Sequence, residues 1–134
     1  MNHTKLADAI RQAAVAAGYD FHTGDERFMS QSLTSYPAAW LAPPQFESME
    51  GVRHGRMTYT VTLHLLEVGA KLSPAARAAA YARLETAAVG IFTALSLADV
   101  VVAVERLEVH AQTRSLTNHG EAAATATARV VTFF

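Results

Sequence analysis

The sequence of 134 residues contains no cysteine. This absence excludes disulfide bonds, thiolate nucleophiles and zinc sites with cysteine ligands. Charged residues are also scarce, at 17% against 51% hydrophobic residues, and the formal net charge is −1. A chain so close to neutrality has no bulk electrostatic attraction to nucleic acid or to a membrane surface. We therefore expect no sequence-specific nucleic-acid binding and no membrane partner.

Long apolar runs are missing as well. No run approaches the roughly 20 residues that a membrane helix requires, and the polar opening Met1–Lys5 lacks the apolar segment of a secretory signal. The length suits one hydrophobic core, and no repeat or linker divides it. We expect a single domain over residues 1–134, soluble and cytoplasmic.

Recognisable catalytic motifs are absent too. The glycines are dispersed, the serines stand in no nucleophile motif, and the acidic residues show no paired spacing. The histidines form no metal-binding motif. His64 and His110 fall on the polar faces of two predicted strands and would converge if those strands were neighbours, but a third ligand is lacking. We expect no catalytic residue, no cofactor and no metal, and hence no enzyme.

Two helices are predicted. Apolar residues at helical spacing indicate the first over Thr4–Ala17, with Thr4 as its N-cap and Gly18 as its stop. The second begins at Ser73-Pro74, a capping serine followed by proline at the first helical position, and extends to about Leu95.

Strands account for most of the remaining chain. Alternating or continuous apolar residues predict a weak strand at Tyr19–Phe21 and stronger ones at Ala38–Ala42, Met57–Leu65, Asp99–Thr113 and Glu121–Phe134. A change of phase near Glu105 indicates a bulge, and the last two strands are expected to form an antiparallel hairpin. Gln45–Gly55 is interpreted as a polar connection. This order predicts an α+β fold, with a mainly antiparallel four- to five-stranded sheet and two helices packed on one face.

Part of the surface is expected to be covered by other subunits. Alanine supplies much of the apolar fraction, so the core is thin, and few charges lie outside it. The threonine- and alanine-rich face of the central and C-terminal strands, with Leu66 and Val130, is predicted to contact a neighbouring copy. Phe133 and Phe134 are expected to divide between the helix-facing core and the opposite face, where Phe134 is a candidate contact residue.

Two polar connections carry the other candidate contacts. We expect both to project from the same end of the sheet and to present a small positive patch to a protein partner. The candidate residues of the first connection, Gln45–Gly55, and of the strand start that follows it are Arg53, His54 and Arg56. Those of the second, Gln112–Gly120, are Arg114, Asn118 and His119.

A family resemblance rests on weak motifs and on the order of the elements. The opening His3-Thr4-x-Leu6 leads into a helix, Tyr36-Pro37 leads into a strand, and a Ser/Pro-capped helix and a C-terminal hairpin follow. This layout resembles the tail-terminator proteins of long-tailed phages, also described as tail-completion or minor tail protein U-like proteins. The resemblance implies a hexameric ring that caps the tail tube, joins the head-completion proteins and ends in the virion tail.

An alternative of a different class stays open. The same α+β domain would suit a small-molecule-binding or regulatory protein, active as a dimer, with a pocket between sheet and helices. Trp40, Tyr59, Tyr81 and Phe92 are the aromatic residues expected to line that pocket.

Overall fold

The computed structural model describes residues 2–33, 35–51, 55–69, 72–112 and 120–133. The described chain is α+β. Its helices are α1 (Asn2–Ala16), α2 (Met29–Ser32) and α3 (Pro74–Leu95), with a 3₁₀ turn at Glu26–Phe28 before α2. Its strands are β1 (Asp20–Thr23), β2 (Ala38–Leu41), β3 (Gln45–Glu50), β4 (Arg56–Glu67), β5 (Val101–Gln112) and β6 (Ala122–Phe133).

All six strands belong to one mixed sheet in the order β1-β2-β4-β6-β5, with β3 paired to β4 beyond the end of β2. Only the β1–β2 pair is parallel among the described pairs. The prediction of a mainly antiparallel sheet is therefore confirmed, whereas the expected four to five strands are too few. The α+β class and the hairpin of the last two strands are confirmed.

The missing strand is β3, which lies in the stretch predicted to be a polar connection. Gln45–Glu50 pairs with β4 from Thr60 to Arg56, and a bulge between Phe46 and Ser48 interrupts the register. The sequence showed no alternation here because the bulge shifts the side-chain phase and all six residues are exposed.

The helix boundaries follow the capping signals unevenly. Ser73 accepts a hydrogen bond from the Ala76 amide, and α3 ends at Leu95, as predicted. Gly18 ends α1 with a φ of 93°, a conformation that glycine adopts without strain. However, α1 already begins at Asn2, so Thr4 lies within the helix and is not its cap.

The two long helices cover one face of the sheet. Their buried stripes, from Leu6 to Ala14 on α1 and from Ala80 to Leu95 on α3, join one cluster with the sheet. The strand residues in this cluster alternate along the chain and include Tyr59, Val61, Leu63 and Leu65 on β4 and Ala122, Ala124, Ala126 and Ala128 on β6. Alanine on β6 lets α3 approach the strand closely, while β4 supplies the larger side chains.

The opposite face is covered at one end only. Residues 26–33, called the covering segment below, contain the 3₁₀ turn and α2. Its Met29 and Leu33 pack with Trp40, Leu66 and two alanines in a second, smaller cluster. The added α2 explains why the described helices outnumber the two expected, although both long helices do lie on one face.

Candidate functional site: the open face of the sheet

Beyond the covering segment, the sheet face opposite the long helices carries polar side chains and no covering element among the described residues. We call this surface the open face. Its residues come from alternate positions of the long strands, and Thr60 of β4 lies opposite Arg129 of β6, just as Thr62 lies opposite Thr127. The threonines are half-buried, because side chains on neighbouring strands shield one another. The open face also carries charged side chains, among them Glu105 and Glu108 of β5, which lie opposite Arg129 and Thr127.

An ion pair ties three strands together across this surface. Arg129 Nη2 lies 2.6 Å from Glu47 Oε1, and Arg129 Nε donates to Glu47 Oε2 at 3.2 Å. The Thr60 hydroxyl donates to the same Oε2 at 3.1 Å. Glu47 sits at the β3 bulge, which turns its side chain toward the open face. Arg129 and Glu47 neutralise each other, and Glu105 of β5 lies on the other side of Arg129.

A second polar network joins the open face to the covering segment. His64 is 5% exposed; its Nε2 lies 2.7 Å from Glu26 Oε2 and its Nδ1 lies 2.8 Å from Thr125 Oγ1. Because a carboxylate only accepts, Nε2 donates to Glu26, while Nδ1 and the Thr125 hydroxyl share the second hydrogen bond. Gln112 Nε2 donates to that hydroxyl at 2.8 Å. The network anchors the covering segment to β4 and β6.

The two histidines considered as metal ligands do share a face. Both His64 and His110 are register partners of Thr125, but β6 lies between their strands. Both ring nitrogens of His64 are already bonded, one to Glu26 and the other to Thr125, so His64 has no free nitrogen for a metal. Within the described ranges, no group of three or more histidine or acidic residues is placed to hold a metal.

A groove of about 420 Å³ lies at the rim of the domain, where α1, β4 and α3 meet. Tyr19, Tyr36, Glu67 and Arg83 contribute to its lining, and Arg83 Nη2 lies 2.9 Å from Glu67 Oε1. Burial raises the pKa of Tyr19 to about 12, and the nearby Glu67 carboxylate adds to the rise, while Arg83 opposes it. These contacts stabilise the rim.

The aromatic pocket of the alternative hypothesis is not formed as expected. Tyr59 and Phe92 belong to the helix-side cluster, whereas Trp40 belongs to the cluster under the covering segment, on the other face of the sheet. Tyr81 donates from its hydroxyl to the Gln112 carbonyl at 3.0 Å and so links α3 to β5. The four aromatic residues therefore do not line one pocket.

The predicted positive patch also needs correction. The β3–β4 connection follows Glu50 and precedes Arg56, which is exposed and pairs with Phe133 at the end of β6. The β5–β6 connection follows Gln112 and precedes Ala122, which pairs with Glu67 at the other end of β4. β6 runs antiparallel to β4, so β6 begins at the end of the sheet where β4 finishes. The two connections therefore leave opposite ends of the sheet. Arg53, His54, Arg114, Asn118, His119 and Phe134 lie outside the described residues.

The C-terminal strand divides its side chains between the two faces. Phe133 is 52% exposed and has the strand parity of the open face. Thr132 is fully buried on the helix side, where its hydroxyl donates to the Met57 carbonyl at 2.8 Å. The Asn2 amide donates to Thr132 Oγ1 at 3.0 Å and to the Phe133 carbonyl. The strand is thus tied into the sheet up to its last described residue.

Two apolar residues that were expected on the open face are covered within the chain. Val130 is fully buried in the helix-side cluster, and Leu66 is fully buried beneath the covering segment. The alternation is weak at Val130, because the next residue, Val131, is also apolar. The open face is consequently more polar than predicted, and its exposed apolar contribution comes from Phe133.

Comparisons with known proteins identify no family: no family model matches the chain, and no curated protein matches it either. No helix in the described part of the chain is both long and apolar enough to cross a membrane.

Proposed function

We propose that the protein is a structural assembly subunit that associates with copies of itself through the open face. The observation that carries this proposal is the contrast between two faces of one sheet: the long helices pack against one face, while the other has no covering element over most of the length of its twelve-residue strands among the described residues. A second copy packed on this face would cover Phe133, which is 52% exposed.

The specific role that we propose is the one that the sequence resemblance implies, a phage tail terminator in a hexameric ring. Such a ring contacts the tail tube on one side and the head-completion proteins on the other. The β3–β4 connection lies at one end of β4 and the β5–β6 connection at the other. β4 has twelve residues, which at roughly 3.3 Å each separate its ends by about 36 Å. Contact elements at opposite ends suit a ring that bridges two partners better than the single patch expected from sequence.

The test introduces charge into the open face without touching the core. Thr60 and Thr127 are half-buried on this face, and replacing both with Lys adds two positive charges that a packed interface would have to desolvate. We expect the wild-type protein to sediment as a hexamer at high concentration and the Thr60→Lys/Thr127→Lys variant to lose the hexamer while keeping its thermal unfolding transition.

The matched control is Thr86→Lys, the same change on the exposed side of α3. It is expected to leave the hexamer intact. A wild-type protein that forms no particle beyond a dimer at any concentration would contradict the ring, and a hexamer that survives the double Lys variant would contradict the open face as its contact surface.

A further inference from the structure

β3 is an edge strand whose outer side is unpaired among the described residues. It pairs with β4 on its inner side, whereas β1 pairs with β2 and does not extend along β3. All six β3 residues are exposed. An edge of this length presents unpaired backbone N–H and C=O groups, which form a ready template for another strand.

The edge carries two exposed apolar side chains. Phe46 is 56% exposed and Met49 is 46% exposed, and both lie on the helix side of the sheet, opposite Tyr59 and Met57 of β4. The Phe46 ring meets Tyr59 edge-on, with centroids 5.9 Å apart. Of the features that blunt natural edges, β3 lacks lysine and proline, although it has a bulge and two glutamates, one of which Arg129 neutralises.

The order of side chains along β3 is symmetric about the Glu47–Ser48 midpoint. Because of the bulge, Glu47 and Ser48 both belong to the open-face side, while Phe46 and Met49 flank them on the helix side. Gln45 and Glu50 close the pattern, again on the open-face side. The sequence of sides on which the six side chains lie is therefore the same whether β3 is followed from Gln45 or from Glu50. A two-fold axis demands this property, since each residue must match its symmetry partner.

We infer that β3 pairs with β3 of a second copy, antiparallel, about a two-fold axis through the Glu47–Ser48 midpoint. In this register Phe46 lies opposite Met49 of the other copy, and the pair occurs twice. Aromatic and aliphatic cross-strand pairs of this kind stabilise a sheet. The two sheets would join into one continuous sheet, and both exposed apolar side chains would be covered.

Charge favours the same register. It places Glu47 opposite Ser48 and Glu50 opposite Gln45, so no two carboxylates face each other, and Arg129 already neutralises Glu47. Sliding one strand by two residues in one direction places Glu47 opposite Glu50, which is destabilising. Sliding it in the other direction sets Phe46 opposite Glu47. Of these three registers, only the central one places Phe46 opposite Met49 and separates the acidic residues.

We expect this β3 pairing in the protein before any ring forms. It does not depend on the proposed ring, whose contacts are made through the open face. Phe46→Glu places a carboxylate opposite Met49, and we expect the dimer dissociation constant to rise at least about tenfold in sedimentation equilibrium. Leu97→Glu is the control, because Leu97 is 82% exposed beyond the end of α3. Both sites are exposed, so unfolding midpoints close to that of the wild type will establish that each variant is folded.

A mixing experiment tests the register itself. When the Phe46→Lys variant is mixed with the Met49→Glu variant, their heterodimer contains one Lys–Glu pair and one wild-type Phe–Met pair. We therefore expect the heterodimer to predominate in native mass spectrometry. Phe46→Lys mixed with Phe46→Glu creates no opposed pair and is expected to show no such preference. The inference is wrong if Phe46→Glu dimerises as tightly as the wild type, if the wild type is monomeric, or if both mixtures give the same heterodimer fraction. Loss of the hexamer in the open-face Lys variant, with this dimer retained, would separate the two interfaces.

Discussion

The two faces of the sheet use the same strands for different purposes. On β4, Leu63 is fully buried against the long helices, while its neighbour Thr62 is half-buried on the open face, opposite Thr127. Stability is concentrated on the helix side, where apolar area is removed from water. The open face contributes little to folding, so its sequence is free to serve contacts with other molecules.

The largest expected effect comes from substituting adjacent residues on the two faces. Leu63→Ala removes buried methyl groups and leaves a cavity, and should lower the free energy of unfolding by about 2–5 kcal/mol. Thr62→Ala on the open face should cost about 1 kcal/mol or less, mainly through β-propensity. Urea denaturation of both variants measures the difference. Equal losses would show that the open face is part of the folding core.

A smaller effect is expected where the covering segment meets the sheet. Thr125→Val keeps the side-chain shape but removes the hydroxyl that bonds His64 and Gln112. The buried His64 Nδ1 would then lack a partner, at a cost of roughly 1–3 kcal/mol. Thr127→Val is the matched control, since the Thr127 hydroxyl makes no hydrogen bond to the described residues. If both variants unfold at the same urea concentration, the network does not anchor the covering segment.

Alkaline pH should destabilise the fold through Tyr19. Its pKa is raised to about 12 by burial and by Glu67, from an ordinary value near 10. The folded state therefore holds this proton more strongly than the unfolded state. Stability is full below about pH 10 and declines as the pH rises toward 12, by roughly 2–3 kcal/mol at most. Tyr19→Phe should flatten this decline in urea denaturation between pH 9 and 12, although Tyr59, whose pKa burial also raises, will keep part of it. An unchanged slope would contradict the role of Tyr19.

The smallest effect is expected for the ion pair on the open face. Glu47 and Arg129 keep 35% and 49% of their side chains exposed, so water and salt screen their attraction. A double-mutant cycle with Glu47→Gln and Arg129→Gln should give a coupling energy of about 0.2–1 kcal/mol that falls in 0.5 M salt. A coupling above this range would mean that the open face contributes to the folded core.

Sequence reasoning captured the elements with strong local signals. The capping serine and proline located α3, and the alternation of β4 and β6 located the two central strands. The antiparallel pairing of β5 with β6 was predicted as well, and the phase change expected near Glu105 is a bulge that contains Arg106, with its φ of 51°. These features depend on residues close together in the chain.

Features that depend on distant contacts were not predictable. β3 lacks alternation because it contains a bulge. The Glu47 side chain at that bulge bonds Thr60 and Arg129, which lie on other strands. The order β4-β6-β5 also decides where the connections leave the sheet, and no local pattern encodes that order. The link from Glu26 to His64 joins residues 38 positions apart, and only the fold brings them together.

The central claim is that copies of the protein meet through the open face. Hydroxyl-radical footprinting tests it most directly, performed on the wild-type protein from dilute to concentrated solution. Phe133 reports on the open face, Phe46 on the β3 edge, and Leu97 on a surface that belongs to neither. We predict that oxidation of Phe133 falls as the hexamer forms while oxidation of Leu97 is unchanged. Phe133 oxidised equally in the dilute protein and in the hexamer would contradict the account.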